Sequence, residues 1–269
     1  MFGSEAPPGE FLYHYTTAEA ALGSIFPTGQ IRLGLIAATN DPREAKEWLF
    51  SLVSPTDSPS SEEFFEIVKG ATLHAKKSAK VLCLTMDVAR PIPREVFGRG
   101  WAHSRMWAQY GGGHSGVCLI FDWRLLEERI SETLTDKGDL WHGPVAYADS
   151  PNEEVDAFQL NYDTIRSEGL EATVRRHVQE YYTTLFFSKG LEWSSEAEYR
   201  WVLRNPTPAP EFVSIEGVLR GVVAGDDFPQ SGVDALEYQC KRLGLEYGRL
   251  HWRNGFPQVL PSLAPVRLL

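Results

Sequence analysis

Short apolar runs, each ended before it reaches the length of a stable helix, constrain this chain most. Lys80–Met86 and Val117–Phe121 read as buried strands, the second a central one. Phe11–Tyr15 and Gln30–Ile36 read as earlier strands. Val145–Ala148, Tyr199–Leu203, Val218–Val223 and Arg249–Trp252 read as later ones. Helix signals fall between them. Thr16-Thr17-Ala18-Glu19 has the form of a capping box, opening a short helix through about Phe26. Asp41 suits an N-cap, Pro42 the first helical position and Glu44 the third, with a helix expected to end near Val53. Further helical stretches are expected from about Glu62 to Lys77, His103 to Tyr110, Trp123 to Leu134 and Val233 to Leu243. Asp156 to Ser188 reads as mostly helical, broken near Gly169. Residues 87–102, with Pro91, Pro93 and several glycines, read as a long loop of the kind that is often functional. The pattern predicts an α+β fold: a mixed β-sheet core with helical insertions. Residues 1–9 are expected to form a flexible tail, and 10–269 a single domain with a mostly helical insertion at about 156–188.

At 269 residues and 43% hydrophobic content the chain has ample material for a core. No apolar run reaches membrane-spanning length, and MFGSEAPPGEF lacks the pattern of a signal peptide. Cys83 and Cys118 lie inside apolar runs and Cys240 is distant from both, which suits free thiols in a reducing cytoplasm. No Cys/His spacing suggests a metal. The net charge of −10 repels phosphate backbones on average, although a local patch can outweigh the mean. Arg175-Arg176-His177 is the best candidate patch, and it reads more simply as the polar face of a helix.

Glu196 and Glu198 sit two residues apart at the start of an alternating run. If the strand begins by Ala197, both carboxylates leave its mouth on one side. Two like charges held close raise one pKa and leave the other ionised. Such a pair can act where positive charge develops on a sugar carbon. Solvated surface carboxylates beside Lys189 and Arg200 are the plainer alternative.

His14 stands at a strand end beside Tyr15 and Thr16, where it can donate to a ribose hydroxyl or bond to backbone. Ser104-Arg105-Met106-Trp107-Ala108-Gln109-Tyr110 places Met106 and Trp107 within helical reach of Tyr110. That face suits a flat cationic ring, and it equally suits packing on a core. The glycines at 111–113 and 116 let a backbone approach a ligand, but no Lys-Ser/Thr follows to make a phosphate loop. In Asn40–Glu44 the cap explains Asp41, Pro42 and Glu44, while Asn40 is left over and could as easily stabilise the loop. Nucleophile-elbow, zinc-protease and dinucleotide-fold fingerprints are missing from the sequence.

Taken in order, Tyr13-His14-Tyr15-Thr16, Asn40-Asp41-Pro42, Ser104 to Tyr110 with His114 to Cys118, and Lys189 to Arg200 resemble a large bacterial family of uncharacterised function, over about residues 11–225. More distantly, the layout is similar to ADP-ribosyltransferases, including DNA-modifying toxins of toxin–antitoxin systems. Glu196-x-Glu198 is similar to their Glu-x-Glu. The chain has no clear Ser-Thr-Ser strand. The resemblance implies an ADP-ribosyltransferase-like fold and NAD as co-substrate, with no metal. It implies a bacterial toxin or phage-defence effector, a nucleic-acid or protein acceptor, an antitoxin partner and no membrane.

In that scheme Glu198 binds the ribose 2′-hydroxyl and stabilises the developing charge, while Glu196 orients or deprotonates the acceptor. His14, Tyr15 and Thr16 with Ser104, Arg105, Met106, Trp107 and Tyr110 hold the cofactor, and Arg105 or Arg200 meets the pyrophosphate. Glu198→Gln should then preserve folding and slow turnover. An NAD glycohydrolase would use the same site with water. A non-catalytic sensing or interaction module would instead tie Glu196 and Glu198 into a salt-bridge network with Lys189 and Arg200.

Overall fold

A computed structural model describes residues 9–54, 58–77, 79–91, 94–149 and 155–263. The expected tail lies outside these residues except for Gly9, as does Pro93 of the long loop. In chain order the strands are β1 Phe11–Thr16, β2 Gln30–Leu35, β3 Ser51–Val53, β4 Ala79–Met86, β5 Val117–Asp122, β6 Asp139–Pro144 and β7 Ala146–Tyr147. They continue as β8 Gln159–Asn161, β9 Ser188–Lys189, β10 Glu198–Arg204, β11 Glu211–Ser214, β12 Leu219–Ala224, β13 Glu246–Arg253 and β14 Phe256–Leu260. The α-helices are α1 Ala18–Ala20, α2 Phe26–Thr28, α3 Pro42–Ala45, α4 Ser61–Thr72, α5 Ser104–Gln109, α6 Trp123–Leu134, α7 Tyr162–Glu168, α8 Leu170–Phe186 and α9 Val233–Leu243. The fold is α+β with a mixed sheet, since β12 and β13 pair in parallel while the other ladders of the main sheet are antiparallel.

The main sheet forks at β4. One edge of β4 pairs with β10 along its whole length, from Glu198 opposite Thr85 to Arg204 opposite Ala79. The other edge is shared. β1 takes one end, with Leu12 opposite Met86 and Tyr13 opposite Thr85. β2 takes the other, with Gly34 opposite Val81 and Leu35 opposite Lys80. From β1 the sheet continues through β5, β12, β13 and β14; from β2 it continues to β11. Between these two pairings the backbone of Cys83 therefore faces a gap between two diverging strands.

Alternation decides what each face of the sheet meets. Along β10, Tyr199, Trp201 and Leu203 enter the largest core cluster, which also holds Leu12, Phe121 and the apolar side of α6 and α9. Val202 points the other way, into a cluster with Trp48, Phe50 and residues of α4, α7 and α8. Glu198 and Arg200 share the face of Val202 by the same period of two. Along β1, Tyr13 and Tyr15 join Trp101, Met106 and Trp107 in a third cluster.

Two expected elements are corrected. The capping hydroxyl at the first helix belongs to Thr17, which accepts from Ala20 N at 3.1 Å, so Glu19 is not the third residue of a box. The helix opened by Asp41 ends at Ala45 instead of near Val53. Beyond it Trp48 and Phe50 are buried while Leu49 and Ser51 are exposed, a period of two. This alternation carries the chain into β3, which pairs in parallel with β8.

Candidate functional site

A cavity of about 200 Å³ occupies the fork of the sheet. Its lining includes Tyr13, His14 and Tyr15 from β1, Cys83 and Thr85 from β4, Met106 and Tyr110, and Lys189, Glu196 and Glu198. Three segments far apart in sequence thus meet in one place. Asn40 and Glu44 line it as well.

The two carboxylates arrive differently from the expectation. Glu196 ends a 3-10 turn, Leu191–Glu196, and Glu198 begins β10. Between them Ala197 takes a left-handed conformation, φ 44° and ψ 51°, which costs a residue with a Cβ roughly 1 kcal/mol. The kink, not strand alternation, turns Glu196 into the cavity. The Ala197 carbonyl accepts from Met86 N at 2.8 Å, and Glu198 N donates to the Tyr147 hydroxyl at 2.9 Å. Both bonds hold the kink in place.

Lys189 Nζ lies 2.7 Å from Glu196 Oε2 and 2.7 Å from Glu198 Oε2. The ammonium thus separates two charges that would otherwise repel, and sits over the Trp193 ring at 5.3 Å. Arg200, fully buried, grips Glu198 with two parallel bonds of 2.7 Å through Nε and Nη2. Its Nη1 donates to the Phe186 carbonyl at 2.7 Å, at the end of α8, and to Glu44 Oε1. Three carboxylates and two cations leave this buried group at net −1. Burial opposes the charge on Glu198, but Arg200 and Lys189 outweigh it and hold the pKa down to about 2. Burial also opposes the charge on Lys189, and Glu198 and Glu44 overcome it, raising its pKa.

This geometry reverses the availability of the pair. Glu198 Oε1 accepts from Arg200, and Oε2 from both Arg200 and Lys189. Glu196 accepts one bond on each oxygen, from Tyr110 at 2.6 Å and from Lys189. A carboxylate oxygen has two acceptor positions, so Glu196 retains one on each side. Glu196 is the carboxylate with room for a ligand, and Glu198 is mainly its scaffold. The Tyr110 hydroxyl is committed to Glu196, while its ring stays on the cavity wall. Burial first, and then that bond, push its pKa up.

His14 Nδ1 lies 3.2 Å from the Cys83 carbonyl, in the gap of the fork. A carbonyl only accepts, so Nδ1 carries the proton. Burial lowers the His14 pKa, only partly offset by that bond. The neutral ring then offers Nε2 as an acceptor, so His14 would receive a hydrogen bond from a ribose hydroxyl rather than donate one.

The other candidates fall outside the cavity lining. Thr16 is half-buried, and Ser104 and Arg105 are exposed on α5. Trp107 is fully buried: its Nε1 donates to the Trp101 carbonyl at 2.8 Å and its ring meets Tyr15 edge-on. Arg200, encased as described, cannot meet a pyrophosphate. The glycine loop serves packing: a Cβ on Gly116 would come within 2.2 Å of the Thr16 carbonyl oxygen. Among the described residues no group of three or more His, Cys, Asp or Glu side chains is placed to hold a metal ion. Also among them, no helix is long and apolar enough to cross a membrane.

Sequence reasoning missed Glu44, Thr85 and Tyr147. Glu44 was absorbed by its capping position, and Thr85 is one polar letter in an apolar strand. Tyr147 carries no local signal. Asp41 does cap α3, accepting from Arg43 N at 2.9 Å.

Residues 106–201 match a family described as a protein of unknown function, DUF2971. The match spans less than half of the chain, so it is a similarity over that stretch. It takes in Met106–Tyr110 and Lys189–Arg200 but neither β1 nor Asn40–Glu44. No curated protein and no solved structure matches the chain.

Proposed function

We propose that the cavity binds the nicotinamide–ribose end of NAD and that the protein is an NAD-dependent ADP-ribosyltransferase. A bacterial toxin or phage-defence effector, modifying a nucleic acid or a protein, fits this reading. One observation carries it: a buried group of three carboxylates, Glu44, Glu196 and Glu198, against two cations, Lys189 and Arg200, carries net charge −1 and opens onto a cavity walled by Tyr110, Tyr15 and Met106. Cleaving the bond between nicotinamide and ribose builds positive charge on the ribose carbon. A fixed negative group in a site of low dielectric stabilises that charge without reorganising. The bonding pair leaves with the ring nitrogen as neutral nicotinamide. The acceptor's oxygen or nitrogen then bonds to the ribose carbon and gives up its proton to solvent water.

Glu196 takes the role that the sequence assigns to Glu198. Glu196 meets the ribose hydroxyl through its spare acceptor positions, and Glu198 fixes Lys189 and Arg200 around it. The cavity is below the usual range of roughly 300–1,000 Å³ for drug-sized ligands, so it takes one end of the dinucleotide and leaves the adenosine outside.

A second reading is a non-catalytic sensing module of a defence system. It is favoured by the commitment of Glu198, three of whose four acceptor positions are taken up by Arg200 and Lys189 in the network that reading expects. Incubating the protein with NAD separates the readings. Nicotinamide release only with an acceptor indicates a transferase, and release into water alone a glycohydrolase. Binding without release leaves the sensor. Neither binding nor release removes NAD from the account.

A further inference from the structure

Two oxygens on the cavity wall, one on Glu44 and one on Thr85, take no part in the chemistry above. Glu44 is 4% exposed and Thr85 is 1% exposed. Glu44 gives one oxygen to Arg200, while its Oε2 has no hydrogen-bond partner; neither has Thr85 Oγ1. Leaving a buried polar group unpaired costs roughly 1–3 kcal/mol, so two beside one cavity are a substantial sacrifice of stability.

Two other polar groups there lean the same way. His14 Nε2 is an acceptor because Nδ1 is spent on Cys83. Glu196 has spare acceptor positions. The ion cluster carries net −1, and the next charges outward balance each other. Arg43 and Lys76 are cationic, with Arg43 donating to the Ser188 carbonyl and Lys76 to the Lys46 carbonyl. Asp41 and Glu47 offset them. The rings of Tyr13, Tyr15 and Tyr110 complete a wall suited to a flat cation.

We propose that the cavity is a binding site for a ring-sized organic cation bearing N–H or O–H donors, with Glu44 Oε2 and Thr85 Oγ1 as receiving groups. The inference deepens the NAD reading, because the pyridinium end of NAD is a cation of this size, but it stands on charge and acceptor count alone.

The test uses two ring compounds of nearly equal shape, the benzamidinium cation and neutral benzamide, titrated calorimetrically into the full chain. Benzamidinium is expected to bind at least about tenfold more tightly, a difference of roughly 1.4 kcal/mol. Thr85→Val keeps the shape of the side chain and removes the unpaired hydroxyl. It should raise the melting temperature without ligand and weaken benzamidinium several-fold. Glu44→Gln should weaken it further, with a thermal melt to confirm that the fold survives the change beside Arg200. Equal affinity for the two compounds, no binding of either, or unchanged benzamidinium affinity in Thr85→Val would overturn the proposal. Benzamidinium binding without nicotinamide release from NAD would remove the enzymatic reading and leave this one. Nicotinamide release from a chain that binds both compounds equally would do the reverse.

Discussion

Glu198 stays ionised where burial alone would neutralise it, because two cations surround it. Its stabilising effect has a definite pH window. The folded pKa of about 2 lies below the ordinary 4.5, so the contribution is complete above that value and is lost as pH falls toward 2. The shift corresponds to roughly 3 kcal/mol. Urea unfolding from pH 7 to 2 should therefore show stability falling most steeply below about pH 4.5, and Glu198→Gln should flatten that fall. The same substitution leaves Arg200 and Lys189 short of a charge and should lower stability at pH 7 by about 3 kcal/mol. This departs from the sequence expectation that Glu198→Gln folds unperturbed. Glu196 keeps fewer partners, and Glu196→Gln should be milder in the same measurement. Equal losses would mean that the two carboxylates are interchangeable supports.

At the scale of elements, the legible parts were those whose signals lie within one segment. Trp123–Leu134 and Val233–Leu243 are helices with the expected bounds. Asp122 caps the first, and Gly244, in a left-handed conformation, ends the second. β4 and β5 announce themselves as apolar runs. β6, β11 and β14 did not, because their burial is mixed and partner strands hold them rather than their own pattern. Residues 46–53 misled because their apolar letters also fit a helix until Trp48 and Phe50 find one core. The same division runs through the site. His14, Tyr110 and the Glu-x-Glu pair were readable, whereas Thr85 and Glu44 gain meaning only when β4 and α3 face each other across the cavity. For Asp41 the capping role stands, and it is absent from the cavity lining. Asp41→Ala should cost about 1 kcal/mol in chemical denaturation while leaving ligand affinity unchanged. A loss of affinity at full stability would place Asp41 in the site.

Across the whole molecule, the stretch that matches a family is not a self-sufficient folding unit. Residues 106–201 contain β5 and the first four residues of β10, yet β5 lies between β1 and β12, and β10 pairs with β4 on one side. Those three partners lie outside the stretch. Expressed alone, the segment would expose both edges of β5 and one edge of β10, and would lack both His14 and the carbonyl that receives it. Circular dichroism and amide exchange should find it unfolded or aggregated. A cooperative melt from that fragment would show that it needs none of the three. Such a result would also detach the carboxylate pair from the rest of the cavity.

The fork has one more consequence, in time rather than in space. In a strand, the N–H and carbonyl of a residue leave by the same edge, so the Cys83 amide points with its carbonyl into the gap between β1 and β2. Leu82 and Leu84 turn theirs toward β10. Deuterium should enter at Cys83 before it enters at either neighbour, marking a slow leak in the middle of an otherwise sealed strand. A ligand lodged in the fork would sit where the missing strand would be. Its arrival should slow exchange at that amide, which would make Cys83 a clock for the occupancy of the site.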